Sequence, residues 1–276
     1  MKSTLTRRTA PFTLLLACVF CAEWGRDGHK IASTVAEAHL TPEAKAAVTQ
    51  LLAGQFPADV STWADEIRSD PAYRWASPLH YANVQLGAKA FDLKRDCPDQ
   101  GCVVSAIIKY TSVLRSREAT VSQKTEALKS LIHFVEDVHQ PLHVSRARHR
   151  GGDDVKVEFF DDRTNLPRVW DSGLIRRTKK SWTAYAAEIK DALTPEQIKA
   201  WSGTDPVAWA TESYQLDQAY FDRCIPVVNR CLAMAGVRLA AVLNKIFSES
   251  AGATVGSEAN AVQERPLGHV QDVGRR

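Results

Sequence analysis

A histidine and an aspartate four residues apart on a helix point the same way, and LIHFVEDVHQPLH (residues 131–143) supplies such a pair in His133 and Asp137. An imidazole and a carboxylate converging from one face suit a divalent metal such as zinc. His143 follows just beyond Pro141, past the expected helix end. A surface His–Asp pair would have the same spacing. Here, however, Leu131, Ile132, Phe134, Val135 and Val138 make the helix apolar almost all round, and a buried charge needs a partner. Three further blocks carry residues fit for chemistry: WGRDGH (24–29), WADEIRSD (63–70) with PLHYANV (78–84), and TNLPRVWD (164–171), which follows the double glycine Gly151-Gly152. Asp65 and His80 are candidate ligands in the second block, where Glu66 and Asp70 read as exposed charge pairs. His39 is expected to close a helix, His139 to bond to backbone, and His269 to lie in a tail.

Helices must position these side chains. Thr41-Pro42 opens one helix (42–52) with a capping hydroxyl and a proline in the first turn. Residues 58–68 and 103–114 have helical patterns. Thr120 and Gln123 form a capping box that opens a long helix reaching about His139, before Pro141. Further helices are expected at 181–191, 195–201, 205–221 and 226–247. One segment differs: Val155, Val157 and Phe159 alternate with Lys156 and Glu158, which is strand period, and the Asp161–Asn165 run is turn chemistry. A small β-ribbon or long loop near 153–166 on an all-α body is the resulting fold class.

The 276 residues suffice for one large domain with a substantial core. Lys2, Arg7 and Arg8 precede an uncharged, mostly apolar run at 12–22, the order of a signal peptide over residues 1–23. No later segment reads as a membrane span. Loss of that leader lowers the formal charge from +3 to about +1, so a nucleic-acid ligand would have to be held by metal or local patches. Residues 24–250 form the expected domain and 251–276 an expected disordered tail. Cys18 and Cys21 belong to the leader. Of the remaining four cysteines, Cys97 with Cys102 and Cys224 with Cys231 are the favoured pairs because both loops are short; the absence of a CxxC pair argues against a thiolate zinc site.

Taken in order, the four blocks from Trp24 to Asp171 resemble the zinc-dependent single-strand-specific nucleases, the type I nucleases, with zinc phospholipase C a more distant relative of the same fold. The resemblance implies a multi-helix phospholipase C/nuclease-like fold and three zinc ions in a cleft. It implies that Asp65, His80, His133 and Asp137 hold one zinc. Trp24, through its free α-amino nitrogen and carbonyl oxygen, and His29 hold a second that Asp137 bridges to the first. His143 and Asp171 belong to the third. Arg68 would stabilise phosphate charge beside the catalytic Asp65, and Tyr81 and Asn83 would stack on and hydrogen-bond to a base, favouring unpaired strands. The implied activity is hydrolysis of single-stranded DNA or RNA to 5′-phosphorylated products, with 3′-nucleotidase activity as an accompaniment, by a secreted or periplasmic monomer without stable membrane association.

The chain departs from the family pattern in three places. Pro167 stands where the family has a histidine ligand of the third zinc, and proline cannot ligate. Asp153, in Gly151-Gly152-Asp153, replaces an asparagine expected near the substrate. Three outcomes follow: a weak or missing third zinc, replacement of the ligand by Asp153, Asp154 or His149, or a relative that binds metal and hardly turns over. Reduced or altered activity is the expectation, with a phospholipase C the alternative enzyme. Cleavage after Ala22 would leave Glu23 in front of Trp24 and block its amine, so a further trim or an unusual cleavage is needed.

Overall fold

The computed structural model describes residues 24–85, 87–146, 155–160, 162–216 and 224–251. The expected leader, His149, Gly151, Gly152, Asp153, Asp154 and the tail beyond residue 251 lie outside the described residues.

The chain begins with α1 (Arg26–Ala38) and α2 (Pro42–Leu51), then two single turns, α3 (Pro57–Val60) and α4 (Trp63–Glu66), and the 3-10 segments Ile67–Ser69 and Pro71–His80. A short strand β1 (Ala82–Val84) and a turn α5 (Leu93–Asp96) lead to α6 (Val103–Arg115) and α7 (Val121–Asp137). After a 3-10 turn (Pro141–His143) come β2 (Val144–Arg146), β3 (Lys156–Phe159), β4 (Asp162–Asn165), α8 (Leu166–Arg168) and a π-helical turn (Val169–Gly173). The rest is helical: α9 (Leu174–Arg177), α10 (Trp182–Asp191), α11 (Pro195–Trp201), α12 (Pro206–Gln215) and α13 (Cys224–Ala251). The all-α reading with a small ribbon holds. β3 and β4 pair antiparallel, from Lys156 opposite Asn165 to Phe159 opposite Asp162.

Local chemistry explains most helix starts. Thr120 Oγ1 accepts from Gln123 N at 3.2 Å, and Gln123 Oε1 accepts from Thr120 N at 2.8 Å, so α7 opens on a reciprocal cap. Thr194 and Gln197 cap α11 in the same reciprocal way, while Thr41 and Ser181 cap α2 and α10 by accepting from Ala44 N and Ala184 N. From Ala127 to Asp137 nearly every α7 residue is buried, because α7 runs through the core with α6, α2, α4 and α13 around it. α1 and α13 approach closely at Gly236, where a Cβ would lie 2.7 Å from Val35 Cβ; glycine lets the two backbones meet.

Three expectations change and one feature is new. The helix expected over 58–68 is broken. In a continuous helix the Ser61 carbonyl would accept from Asp65 N; instead it accepts from His133 Nδ1 at 2.7 Å, and Asp65 N turns to Thr62 O at 3.1 Å. A parallel pair that the sequence did not announce joins β1 to β2, Ala82 opposite Val144. Cys97–Cys102 is a disulfide, but Cys231 is a free, buried thiol. Cys224 lies seven residues away on the same helix, about 10 Å along the axis, too far for a bridge. Finally, among the described residues one helical stretch, Pro226–Ser248, is long and apolar enough to cross a membrane; 72% of its most apolar window is buried in the fold, which is the burial of a core helix.

Candidate metal centre

Asp137 ends α7 fully buried, and four histidines surround it. Its Oδ2 lies 3.0 Å from His80 Nδ1 and 3.1 Å from His133 Nε2. Its Oδ1 lies 3.4 Å from His143 Nδ1 and 3.6 Å from His29 Nε2. Asp65, from the broken turn α4, brings Oδ1 to 3.3 Å from His133 Nε2 and 3.5 Å from His80 Nδ1. The His29 and His133 rings stack at 4.1 Å. Two overlapping sets, His29–Asp65–His133 and His80–His133–Asp137, place one donor atom per residue within 4.8 Å of one another. His29 Nε2, Asp65 Oδ1 and Asp137 Oδ1 are buried and make no hydrogen bond. Such atoms are expensive to bury unless something else, such as a cation, satisfies them.

The rings are oriented from behind. His133 donates Nδ1–H to Ser61 O at 2.7 Å, His143 to His80 O at 3.0 Å, and His29 Nδ1 faces Glu136 Oε2 at 2.6 Å. In each Nε2 faces the interior, that of His133 lying 3.0 Å from His80 Nδ1. Burial pushes His80 down to about 3 and holds His29 well below its usual value, so both are neutral donors. Burial would also lower His133, but Asp137, the Ser61 carbonyl and Glu136 together outweigh it and the net direction is upward. Burial would raise Asp137; the charges of His133 and His143 overcome it and keep this carboxylate well below its usual range.

The cluster opens at Asp65, whose side chain is 26% exposed, beside Arg68, 17% exposed with Nη1 3.7 Å from Asp65 Oδ1. Tyr81 and Asn83 are exposed while Ala82 and Val84 are buried, so strand alternation turns the first two outward from the segment that ends in His80. β1–β2 pairing brings that segment beside His143. Trp24 is 1% exposed and packs across Gly28. Gly25 N donates to Asp171 O at 2.9 Å, and a Cβ on Gly25 would collide with Ser172 and that carbonyl. Asp171 is buried, with Oδ1 accepting from Gln140 Nε2 at 2.6 Å. Pro167 lies buried in the short α8 turn that Asn165 caps. A separate cavity of about 590 Å³ lies on the ribbon, lined by Lys156, Arg163 and Arg168 among others rather than by the histidines. The donor geometry, not that cavity, marks the chemistry.

Sequence reasoning missed Glu136, Ser33, Gln140 and the Ser61 carbonyl. Glu136 carried the one usable signal: a carboxylate inside an otherwise apolar helical block.

A buried, histidine-rich centre assembled from separate helical segments marks a helical protein whose His and Asp groups could hold a metal ion. The family model described as S1/P1 Nuclease matches residues 24–248, and the chain belongs to that family, which is metal-dependent. It is 34% identical over 275 residues to Endonuclease 2 of Arabidopsis thaliana, covering 85% of this chain and 94% of that protein. Nuclease S1 of Aspergillus oryzae is 28% identical over 267 residues, with 82% and 92% covered. Nuclease P1 of Penicillium citrinum is 26% identical over 264 residues, with 81% and 97% covered.

Proposed function

We propose that the chain is a zinc-dependent endonuclease that hydrolyses phosphodiester bonds of single-stranded DNA or RNA, leaving 5′-phosphates. The convergence of Asp65, His80, His133 and Asp137 on a common point carries this reading. Family membership and the nuclease relatives support it.

Buried imidazoles and carboxylates with unsatisfied atoms are the donor set a zinc ion takes. Asp65, His80, His133 and Asp137 would hold one ion, and His29 with the backbone of Trp24 a second. Asp137, with Oδ2 toward His80 and His133 and Oδ1 toward His29 and His143, would be shared between the two sets. His143 and Asp171 are the candidates for a third, with Asp153 a candidate near the substrate. When bound, zinc supplies Lewis acidity toward a phosphoryl oxygen and makes water nucleophilic at neutral pH. Arg68, at the open side, meets the charge that grows on the phosphate. Tyr81 offers an exposed ring to an unpaired base and Asn83 a hydrogen-bonding amide beside it. The domain spans residues 24–250 behind a leader at 1–23, and the Cys97–Cys102 disulfide supports an exported protein. It acts as a monomer on nucleic acid or nucleotides.

The test combines metal analysis with cleavage of single-stranded DNA on protein whose N-terminus is Trp24; release of phosphate from 3′-nucleotides is the second assay. Two or more zincs with cleavage to 5′-phosphorylated ends is the expected result. Protein that holds those ions and leaves single strands intact overturns the reading. Release of phosphocholine from lipid would favour the phospholipase alternative.

A further inference from the structure

One buried carboxylate beside the centre is left without a part in the proposed site. Glu136 precedes Asp137 on α7, is fully buried, and turns away from the centre toward α1. Its Oε2 lies 2.6 Å from His29 Nδ1, and its Oε1 accepts from Ser33 Oγ at 2.5 Å. His29 therefore lies between adjacent carboxylates of one helix. Glu136 faces Nδ1, and Asp137 Oδ1 faces Nε2 at 3.6 Å. A neutral imidazole carries one N–H. Although burial pushes the Glu136 carboxyl well above its usual range, its ionised form is the acceptor that places the proton on Nδ1 and leaves the Nε2 lone pair facing Asp137. His133 and His143 are fixed the same way by backbone carbonyls, Ser61 O and His80 O. Only for His29, among these three, is the acceptor a carboxylate, which polarises the ring and strengthens it as a donor.

We propose that Glu136, steadied by Ser33, is a positioning residue that fixes His29 as an Nε2 donor and raises the affinity of the ion His29 serves. The inference rests on the zinc reading above. Competition between metal-free protein and a chromophoric chelator, with zinc alone as the probe, tests it. Glu136→Gln keeps the size and can still accept from Nδ1. It is expected to weaken one ion by about 10- to 100-fold and leave the ion of Asp65, His80 and His133 unchanged. Ser33→Ala is expected to weaken the same ion by less. In a His29→Ala background, Glu136→Gln is expected to have no further effect on zinc affinity, an outcome a merely structural role would not give.

Unchanged affinities in Glu136→Gln, equal losses at both ions, or the same loss with His29 absent would each overturn the inference and leave the metal centre standing. Should Glu136→Gln fail to fold, unchanged zinc binding in Ser33→Ala overturns it as well. Wild-type protein that takes up no zinc overturns the metal reading itself, and this inference with it.

Discussion

Replacing Asp137 by asparagine keeps the side-chain volume and removes one charge from the most crowded point of the centre. The two oxygens divide their neighbours: Oδ2 faces His80 and His133 at 3.0 and 3.1 Å, Oδ1 faces His143 and His29 at 3.4 and 3.6 Å. If the carboxylate serves two ions, its loss weakens both. Removing one partner of a buried charged pair costs about 3–5 kcal/mol, roughly two to three and a half orders of magnitude in affinity. Asp65→Asn is the control, because Asp65 approaches His133 and His80 and belongs to a single proposed ion. Zinc titration with stoichiometry by mass spectrometry should show Asp137→Asn losing both ions and Asp65→Asn losing one. Asp137→Asn protein that retains either ion at wild-type affinity would refute the shared carboxylate.

Four other outcomes are expected. Pro167→His restores an imidazole to the segment carrying Asp171 and should add one zinc and raise turnover; no gain in either would point to a relative that lost catalysis more deeply. Tyr81→Ala should raise KM for single-stranded DNA by about 5- to 150-fold through loss of about 1–3 kcal/mol of stacking, with zinc content unchanged; an unaltered KM removes Tyr81 from the substrate site. Gly236→Val drives a branched side chain into Val35 and should lower the unfolding free energy, measured by denaturant titration, by about 1–3 kcal/mol, since a Cβ alone would lie 2.7 Å from Val35 Cβ. Burial pushes the Cys231 thiol up to about 12, so iodoacetamide at about pH 8 should modify Cys231 only after denaturation; labelling of the native protein would contradict its burial.

Features written in neighbouring residues were legible from the chain alone. The Thr120–Gln123 box, the Thr41-Pro42 start and the four-residue step from His133 to Asp137 depend on nothing distant, and the structure has them as read. The alternation at 155–159 was likewise enough to place β3. The misses involve long-range partners or helix geometry. Helicity at 58–68 looked sound until the Ser61 carbonyl found His133, 72 positions away. Nothing in VSR or ANV announces that β1 and β2 pair across the domain. The Cys224–Cys231 pairing failed because a short loop in sequence became rigid helix in space. Glu136 was passed over because its partners, His29 and Ser33, lie on the first helix of the body.

The separations across the centre carry a consequence for assembly. His29 meets Glu136 across 107 positions, His133 meets Ser61 across 72, and His80 meets His133 across 53. Each contact closes a long loop, so its entropic cost falls before its reward arrives. The centre is therefore expected among the last parts to form, and on the zinc reading metal uptake would report complete folding rather than local helix content. A fragment beginning after α1 would retain the capping box and much of the α7 packing, yet it would have nothing with which to close the longest loop.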